Sequence, residues 1–480
     1  MALAATLTLA LPALSARAVV TVGAGRAGRT VPPGFLGLSL EYSGVTAYAG
    51  SDPDELNPIL LQLIRNLAPG QRPVLRIGGD TTDWTWWPVP GAPTPAGIRI
   101  TLSQKWLAVA HALTQALDAR LILGINLEAD SGTLAATEAQ ALLAGLGSGS
   151  VQALELGNEP DYYSTFPYYT TPSGRNVLGR SQTGWTYSAF SRDFTAIARS
   201  LPAVALAGPS IGSRQWSTNL GPFLRAHPRV AIATLHRYPL QRCEATTHLT
   251  VAQLLSIASA KGLADSVAGY VGISHARGIP LRIDEMNSIS CGGQPGLSNS
   301  YATALWALDA LYEMVRVGVD GVNIHSSQTT INTLFRFTHS SAGWTGSVSP
   351  LYYGLMMFAQ AAPARARLLA VSGPIPSAAR VWATRASDGT VRTVVINDGS
   401  RPETITLHLP SSGRVVLERL LAPSVTARAG ITLGGQTFGP ETTTGLLAGT
   451  PAAPTLTPRH GVYSVTMPPA SAAILTPTRQ

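Results

Sequence analysis

The chain predicts an α/β fold, a (β/α)8 TIM barrel followed by a C-terminal antiparallel β-sandwich domain, and three observations lead there. Eight short aliphatic or β-branched runs alternate with longer stretches of helical period. No glycine-rich phosphate loop follows the first run, which argues against a doubly wound sheet: Gly37-Leu38-Ser39 is not a dinucleotide fingerprint, and Glu41 stands where glycine is needed. After about Pro363 the texture changes to short alternating segments between Gly, Pro and Ser turns.

The strands expected from apolar runs are Phe35–Leu40, Val74–Ile77, Leu121–Ile125, Val151–Leu156, Val204–Ala207, Val230–Leu235, Leu281–Ile283 and Gly321–Ile324. Helical period marks Glu55–Leu67, Ser103–Leu117, Thr137–Leu146, Gly184–Ser200, Val251–Ala276, Ser300–Val317 and Leu351–Ala361. The later strands are Val391–Asn397, Glu403–Leu409, Val415–Leu420 and Ser471–Leu475. Ala18–Thr30 also has strand character and, standing alone before the barrel, is expected to complete the sandwich. The expected division is residues 19–32 joining the sandwich, 33–363 as the barrel and 364–480 as the sandwich.

Residues 1–18, MALAATLTLALPALSARA, are apolar and end in the small-x-small pattern Ala16-Arg17-Ala18, so they read as a signal peptide, although its charged start is missing. The alternative is a buried strand of the mature protein. Export, secreted or periplasmic, makes the two cysteines, Cys243 and Cys291, a candidate disulfide, with two unrelated thiols as the alternative. No other run is apolar and long enough to suggest a membrane anchor. The net charge of +8 comes from scattered single residues, so no nucleic-acid partner is expected; the charge is compatible with an anionic sugar.

Barrel enzymes carry their reactive groups where strands end, so those exits hold the functional reading. Strand four leaves as Leu156-Gly157-Asn158-Glu159-Pro160 and strand seven as Ile283-Asp284-Glu285-Met286-Asn287. Glycosidic bonds break through an oxocarbenium-like state that needs one carboxyl to protonate the leaving oxygen and another to attack or to activate water. Glu159 and Glu285 would face each other across the barrel mouth and supply that pair. Taken singly, each is equally readable as an acid favouring a helix N-terminus.

These exits, together with Ser39-Leu40-Glu41-Tyr42, Leu75-Arg76-Ile77-Gly78-Gly79-Asp80 and His236-Arg237-Tyr238-Pro239, resemble glycoside hydrolase family 79, the β-glucuronidase and heparanase family of retaining barrel glycosidases. The resemblance implies Glu159 as acid/base, Glu285 as nucleophile and Asn158 as a donor to the sugar 2-hydroxyl. It implies that Arg76 and Tyr238 orient the nucleophile, with a structural ion pair as the plainer role for Arg76. Glu41 would bind sugar hydroxyls, and Asn287, Gly292 and Gly293 would line the substrate.

His236 and His325 read as orienting groups, and no cluster at metal-ligand spacing or cofactor motif stands out. Trp84, Trp86 and Trp87 form either a sugar-stacking platform or a loop packed on itself. A uronate carboxylate needs donors, and the loop Ser288-Ile289-Ser290-Cys291-Gly292-Gly293 is the best source. It has the family's glycines but not the tyrosine found in bacterial β-glucuronidases. The substrate expectation is therefore a β-glucuronide, with a neutral β-glycoside such as a β-glucoside as the alternative; a non-catalytic carbohydrate-binding barrel is the reading from another class. Oligomeric state is open.

Overall fold

Eight parallel strands close into a barrel in chain order: Leu36–Glu41, Val74–Gly78, Arg120–Ile125, Val151–Leu156, Leu206–Ile211, Val230–Arg237, Leu281–Met286 and Gly321–Ser326. The computed structural model describes residues 19–25, 28–244 and 246–478, so the signal peptide expected at 1–18 lies outside the described residues. Strands one, two, five, seven and eight are buried along their whole length, which is why they read as continuous apolar runs rather than alternating ones. Val74, Ile122, Ala153, Ala207 and Ile232, one from each of five neighbouring strands, pack together as a separate apolar cluster.

Helix boundaries moved where capping chemistry overrode period. Asn57 accepts from the backbone N–H of Ile59 and Leu60, and Pro58 follows it, so the second helix runs Pro58–Leu67 rather than from Glu55. Ser131 caps a helix that starts at Gly132, five residues ahead of expectation, and Thr186 caps one that starts later, at Tyr187. The stretch expected as one helix over Val251–Ala276 is three pieces, Val251–Leu254, a π-helical turn at Ala258–Gly262 and Leu263–His275. Sequence period also missed Tyr42–Ala49, which leaves strand one directly, and the short helices Arg214–Ser217 and Leu220–Ala226. Each spans eight residues or fewer, too short for a pattern.

Beyond the barrel, two sheets stack on a shared core that includes Val20, Val22, Val381, Val395, Leu407, Leu417, Tyr463 and Leu475. Val19–Val22 lies between Val371–Ser372, antiparallel, and Glu403–His408, with which it pairs in parallel, an exception to the expected antiparallel pattern. The other sheet faces the barrel. There Trp382 stacks on Tyr312 of the helix Ala302–Val317, with centroids 5.3 Å apart and planes 6° off parallel, and donates its indole N–H to Asp309 at 2.8 Å. A stacked ring pair adds about 0.5–1.5 kcal/mol to the burial it accompanies, so this contact fixes how sheet and barrel meet.

Candidate active site

Strand seven is bulged at its exit. Leu235 pairs with Ile283 but His236 pairs with Glu285, which leaves Asp284 as an extra residue and lets both acids turn into the barrel. Simple alternation sends consecutive side chains to opposite faces, so this pairing was not legible in the sequence. Glu285 ends up between two donors: Arg76 Nη1 donates to its Oε2 at 2.6 Å and the Tyr238 hydroxyl to its Oε1 at 2.9 Å. Burial alone would raise its pKa, but the nearby His325, His236 and Arg76 charges and the Tyr238 bond outweigh that and hold the carboxyl well below the usual range. Burial and the Glu285 charge raise the Tyr238 phenol well above its ordinary value, so it stays a donor.

Arg76 is completely buried and spends its guanidinium on side chains from other strands. Nε donates to Glu155 at 2.8 Å, Nη1 also reaches Ser39 at 3.2 Å, and Nη2 donates to Asn158 Oδ1 at 2.8 Å. The fork thus locks the second strand to the first, fourth and seventh while holding Glu285 in one orientation. A lysine could not reproduce that geometry.

Glu159 sits in the left-handed region at φ 47°, ψ 53°, with its N–H donating to Ser210 O at 2.9 Å. That conformation costs about 1–2 kcal/mol for a residue with a Cβ and turns the side chain out of the strand direction. His236 Nδ1 lies 3.0 Å from Glu159 Oε1, and the other ring nitrogen 3.0 Å from Ser210 Oγ. A Cβ at Gly212 would lie 2.6 Å from Glu159 Oε1, so any larger residue there would displace the carboxyl. One oxygen each of Glu159 and Glu285, with a nitrogen of His236, lie within 4.8 Å of one another.

Support comes from acids the sequence did not single out. Asp83 accepts from Leu127 N, Glu128 N, Asn158 N and the Tyr163 hydroxyl at 2.7–3.1 Å, pinning the exits of strands three and four together. Asp161 accepts from Gly212 N and Ser213 N, and burial with the Glu159 charge beside it raises its pKa to about 6. Asp80, within a quoted motif but given no role, reaches solvent through the cleft and receives Asn158 Nδ2 at 3.3 Å. Its enclosure at the cleft floor, with Glu41, Glu285 and Glu159 facing it, raises its pKa to about 8.

Glu41 joins the site: Oε2 accepts from Thr81 N at 2.9 Å, and Oε1 lies 3.4 Å from His325 Nε2. His325 also sits 3.8 Å from Glu285 and 3.2 Å from Ser39 Oγ. Burial would lower its pKa, yet Glu285 and Glu41 outweigh that and lift it to about 9, while an unfolded histidine releases its proton near 6.5. The folded state therefore holds the extra proton between those values. Its stabilisation is complete below about pH 6.5 and is lost as pH rises through about 9. The expected result is a melting temperature that falls across that window and a shallower fall in His325→Gln, read by thermal unfolding at pH 6, 7.5 and 9; equal slopes in both proteins would sink this account.

The remaining expectations fare unequally. Asn287 does not face the cleft: it is fully buried, and its amide donates to the carbonyls of His325 and Asn332, bracing the loop after strand eight. Gly293 is buried and donates its N–H to Ser290 O within the loop's own turn, while Gly292, at φ 81°, is partly exposed and gives its carbonyl to Ile331 N. Trp84 and Trp86 pack on their own loop, with Arg99 3.7 Å over Trp84 and the buried Trp86 donating to Thr101, and Trp87 packs against the barrel's core. Cys243 and Cys291 are joined in a disulfide across 48 residues, tying the loops after strands six and seven.

Two acid–histidine groups, Glu159/His236/Glu285 and Glu155/His236/Asp284, bring potential ligand atoms together. The Arg76 guanidinium contacts both, at 2.6 Å from Glu285, 2.8 Å from Glu155 and 3.7 Å from Asp284. A fixed guanidinium already pairs with acids of both groups, so the arrangement suits proton transfer and nucleophilic attack better than metal binding.

Residues 381–474 match the glycosyl hydrolase family 79 C-terminal β domain. The chain is 26% identical to a β-glucuronidase of Aspergillus niger over 92% of its own length and 90% of that protein's. A β-glucuronidase of Neurospora crassa is 25% identical over 67% of this chain and 62% of its own. Among solved structures, a 4-O-α-L-rhamnosyl-β-D-glucuronidase from Fusarium oxysporum matches with a TM-score of 0.74 at 19% identity, covering 95% of this chain and 100% of its own. A family 51 arabinofuranosidase from Xanthomonas axonopodis matches at 0.66, covering 96% of this chain and 100% of its own, so the barrel-plus-sandwich plan extends beyond one specificity. With the family 79 β domain matched at residues 381–474 and the likeness to a β-glucuronidase running nearly the whole length, the chain is a glycoside hydrolase similar to the β-glucuronidases of family 79.

Proposed function

We propose that this enzyme is a retaining β-glucuronidase with Glu285 as nucleophile and Glu159 as acid/base. One observation carries the mechanism: one oxygen each of Glu159 and Glu285 lie within 4.8 Å of each other, which suits the roughly 5–5.5 Å spacing of retaining enzymes better than the roughly 6.5–9.5 Å of inverting ones. Glu285 attacks the anomeric carbon as Glu159 gives its proton to the departing oxygen, breaking the glycosidic bond. Water then attacks the same carbon, its proton passes to Glu159, and the ester bond breaks to restore Glu285. Arg76 and Tyr238 keep Glu285 ionised and aimed in the resting state, while Asn158, held by Arg76, presents its amide to the sugar.

The substrate reading draws on the relatives named as β-glucuronidases. A neutral β-glycoside is the second reading, favoured by a segment after strand seven, residues 288–293, that has no tyrosine and uses the Gly293 N–H internally. The disulfide supports export to an oxidising compartment, secreted or periplasmic, with residues 1–18 as the signal peptide.

Hydrolysis of paired 4-nitrophenyl β-glucuronide and β-glucoside, with the first-formed anomer followed by NMR, tests both parts. The expected outcome is release of β-glucuronic acid and little turnover of the glucoside. Preference for the glucoside would overturn the substrate and keep the mechanism; an α-anomer appearing first would overturn the mechanism. Saturable binding without hydrolysis would leave a carbohydrate-binding protein.

A further inference from the structure

Directly beneath the cleft lie two acids that the proposed mechanism does not use. Glu155, on strand four, and Asp284, the bulge residue of strand seven, have side chains with no exposure at all. Both Asp284 oxygens and Oε1 of Glu155 lack an N–H or O–H donor among the described residues. What these oxygens do have is each other, since the two carboxyls and His236 converge within 4.8 Å. Two bare carboxylates at that separation in a dry barrel repel strongly, and a single shared proton removes the repulsion and satisfies both groups.

We propose that Glu155 and Asp284 form a one-proton carboxyl pair, Asp284 carrying the proton and Glu155 the charge, and that this pair is a positioning element for the reaction because it fixes the charge felt by Arg76 and His236. The inference rests on the assignment of Glu159 as acid/base. The asymmetry follows from Arg76, whose Nε is 2.8 Å from Glu155 but 3.7 Å from Asp284. Burial would raise both acids; at Glu155 the arginine reverses this, whereas Asp284, buried and facing the Glu155 charge, is pushed well above the carboxylate range.

The charged and titratable groups around the pair are Arg76 on strand two, His236 on strand six, and Arg282 and Glu285 on strand seven. Glu155 balances one side of the guanidinium, so Arg76 stays neutralised when Glu285 loses its charge on forming the glycosyl ester. The second route runs through His236, which lies 3.7 Å from Asp284 on one side and 3.0 Å from Glu159 on the other. A change of charge on the pair is therefore felt by the acid/base.

The test compares the basic limb of kcat/KM, on whichever 4-nitrophenyl β-glycoside the wild type hydrolyses, in Asp284→Ala, Asp284→Asn and the double variant Glu155→Gln/Asp284→Asn. In Asp284→Asn an amide N–H donates to Glu155 where the acid O–H did, so most of the activity lost in Asp284→Ala returns and the limb stays at its wild-type position. Glu155→Gln/Asp284→Asn removes the charge that opposes ionisation of Glu159 and leaves no second acid to take it over, so the limb moves to lower pH by roughly one unit. A limb displaced in Asp284→Asn, or unmoved in the double variant, would overturn the proposal. Should the double variant fail to fold, Asp284→Asn decides alone. Infrared spectra add a readout that needs no turnover: a protonated-carboxyl stretch at pH 7 must appear as a negative band in the Asp284→Asn minus wild-type difference, and its absence from that difference overturns the proton assignment. Failure of the acid/base reading would show separately, as Glu159 variants with wild-type kinetics.

Discussion

Glu285→Gln is expected to lower kcat on an aryl β-glucuronide by on the order of 10⁴- to 10⁶-fold, the range seen when a covalent nucleophile is removed. The amide has nearly the shape of the carboxylate but cannot form the glycosyl ester. Arg76 remains paired with Glu155 in the variant, so no uncompensated buried charge is created. One local cost is built in: Arg76 donates to one oxygen of Glu285 and Tyr238 to the other, so the new amide group must turn an N–H toward a donor. Stability should therefore change by no more than about 1–3 kcal/mol, the cost of one mismatched buried hydrogen bond. A catalytic collapse with the fold retained, read by steady-state kinetics beside thermal unfolding, separates a nucleophile from a structural acid. Glu285→Ala adds a check of identity, because the vacated space lets azide attack from the same face and yield the α-glycosyl azide. Activity within tenfold of wild type in Glu285→Gln would remove this residue from the chemistry.

The barrel was legible because its strands are buried on both faces and its helices are periodic, and these signals are local. Strand positions accordingly held, with the fifth displaced from Val204–Ala207 to Leu206–Ile211. The two glutamates were legible for a related reason, since acids at the ends of apolar runs need an explanation. What stayed hidden depended on pairing across the barrel. The bulge that turns Asp284 inward is a register shift against strand six, and no feature of Ile283-Asp284-Glu285 announces it. Glu155 did carry a signal in retrospect, a charge inside the otherwise apolar Ala153-Leu154-Glu155-Leu156, where only a buried partner makes it tolerable. Asn287 misled for the opposite reason: a polar residue beside the nucleophile suggests substrate contact, but its amide is consumed by two loop carbonyls that sequence distance conceals.

Glu159→Gln should show a loss that depends on the leaving group, and this dependence is the sharpest evidence available for a proton donor. A poor leaving group such as methanol needs protonation as its bond breaks, so methyl β-glucuronide should be hydrolysed about 10²- to 10⁴-fold more slowly, the usual worth of general acid catalysis. A 2,4-dinitrophenolate leaves without help, so the first step on that substrate should proceed at nearly the wild-type rate. The second step still lacks its base, and the glycosyl-enzyme should accumulate, visible as a burst of dinitrophenolate with the covalent adduct detectable by mass spectrometry. Azide needs no base and should restore turnover by giving the β-glycosyl azide, the anomer opposite to that from Glu285→Ala. The geometry explains why glutamine is the informative substitution: Glu159 occupies a strained left-handed conformation whose N–H is tied to Ser210, so the backbone stays in place while only the proton chemistry changes. A uniform loss across leaving groups, without a burst, would mean that Glu159 shapes the site rather than delivering the proton.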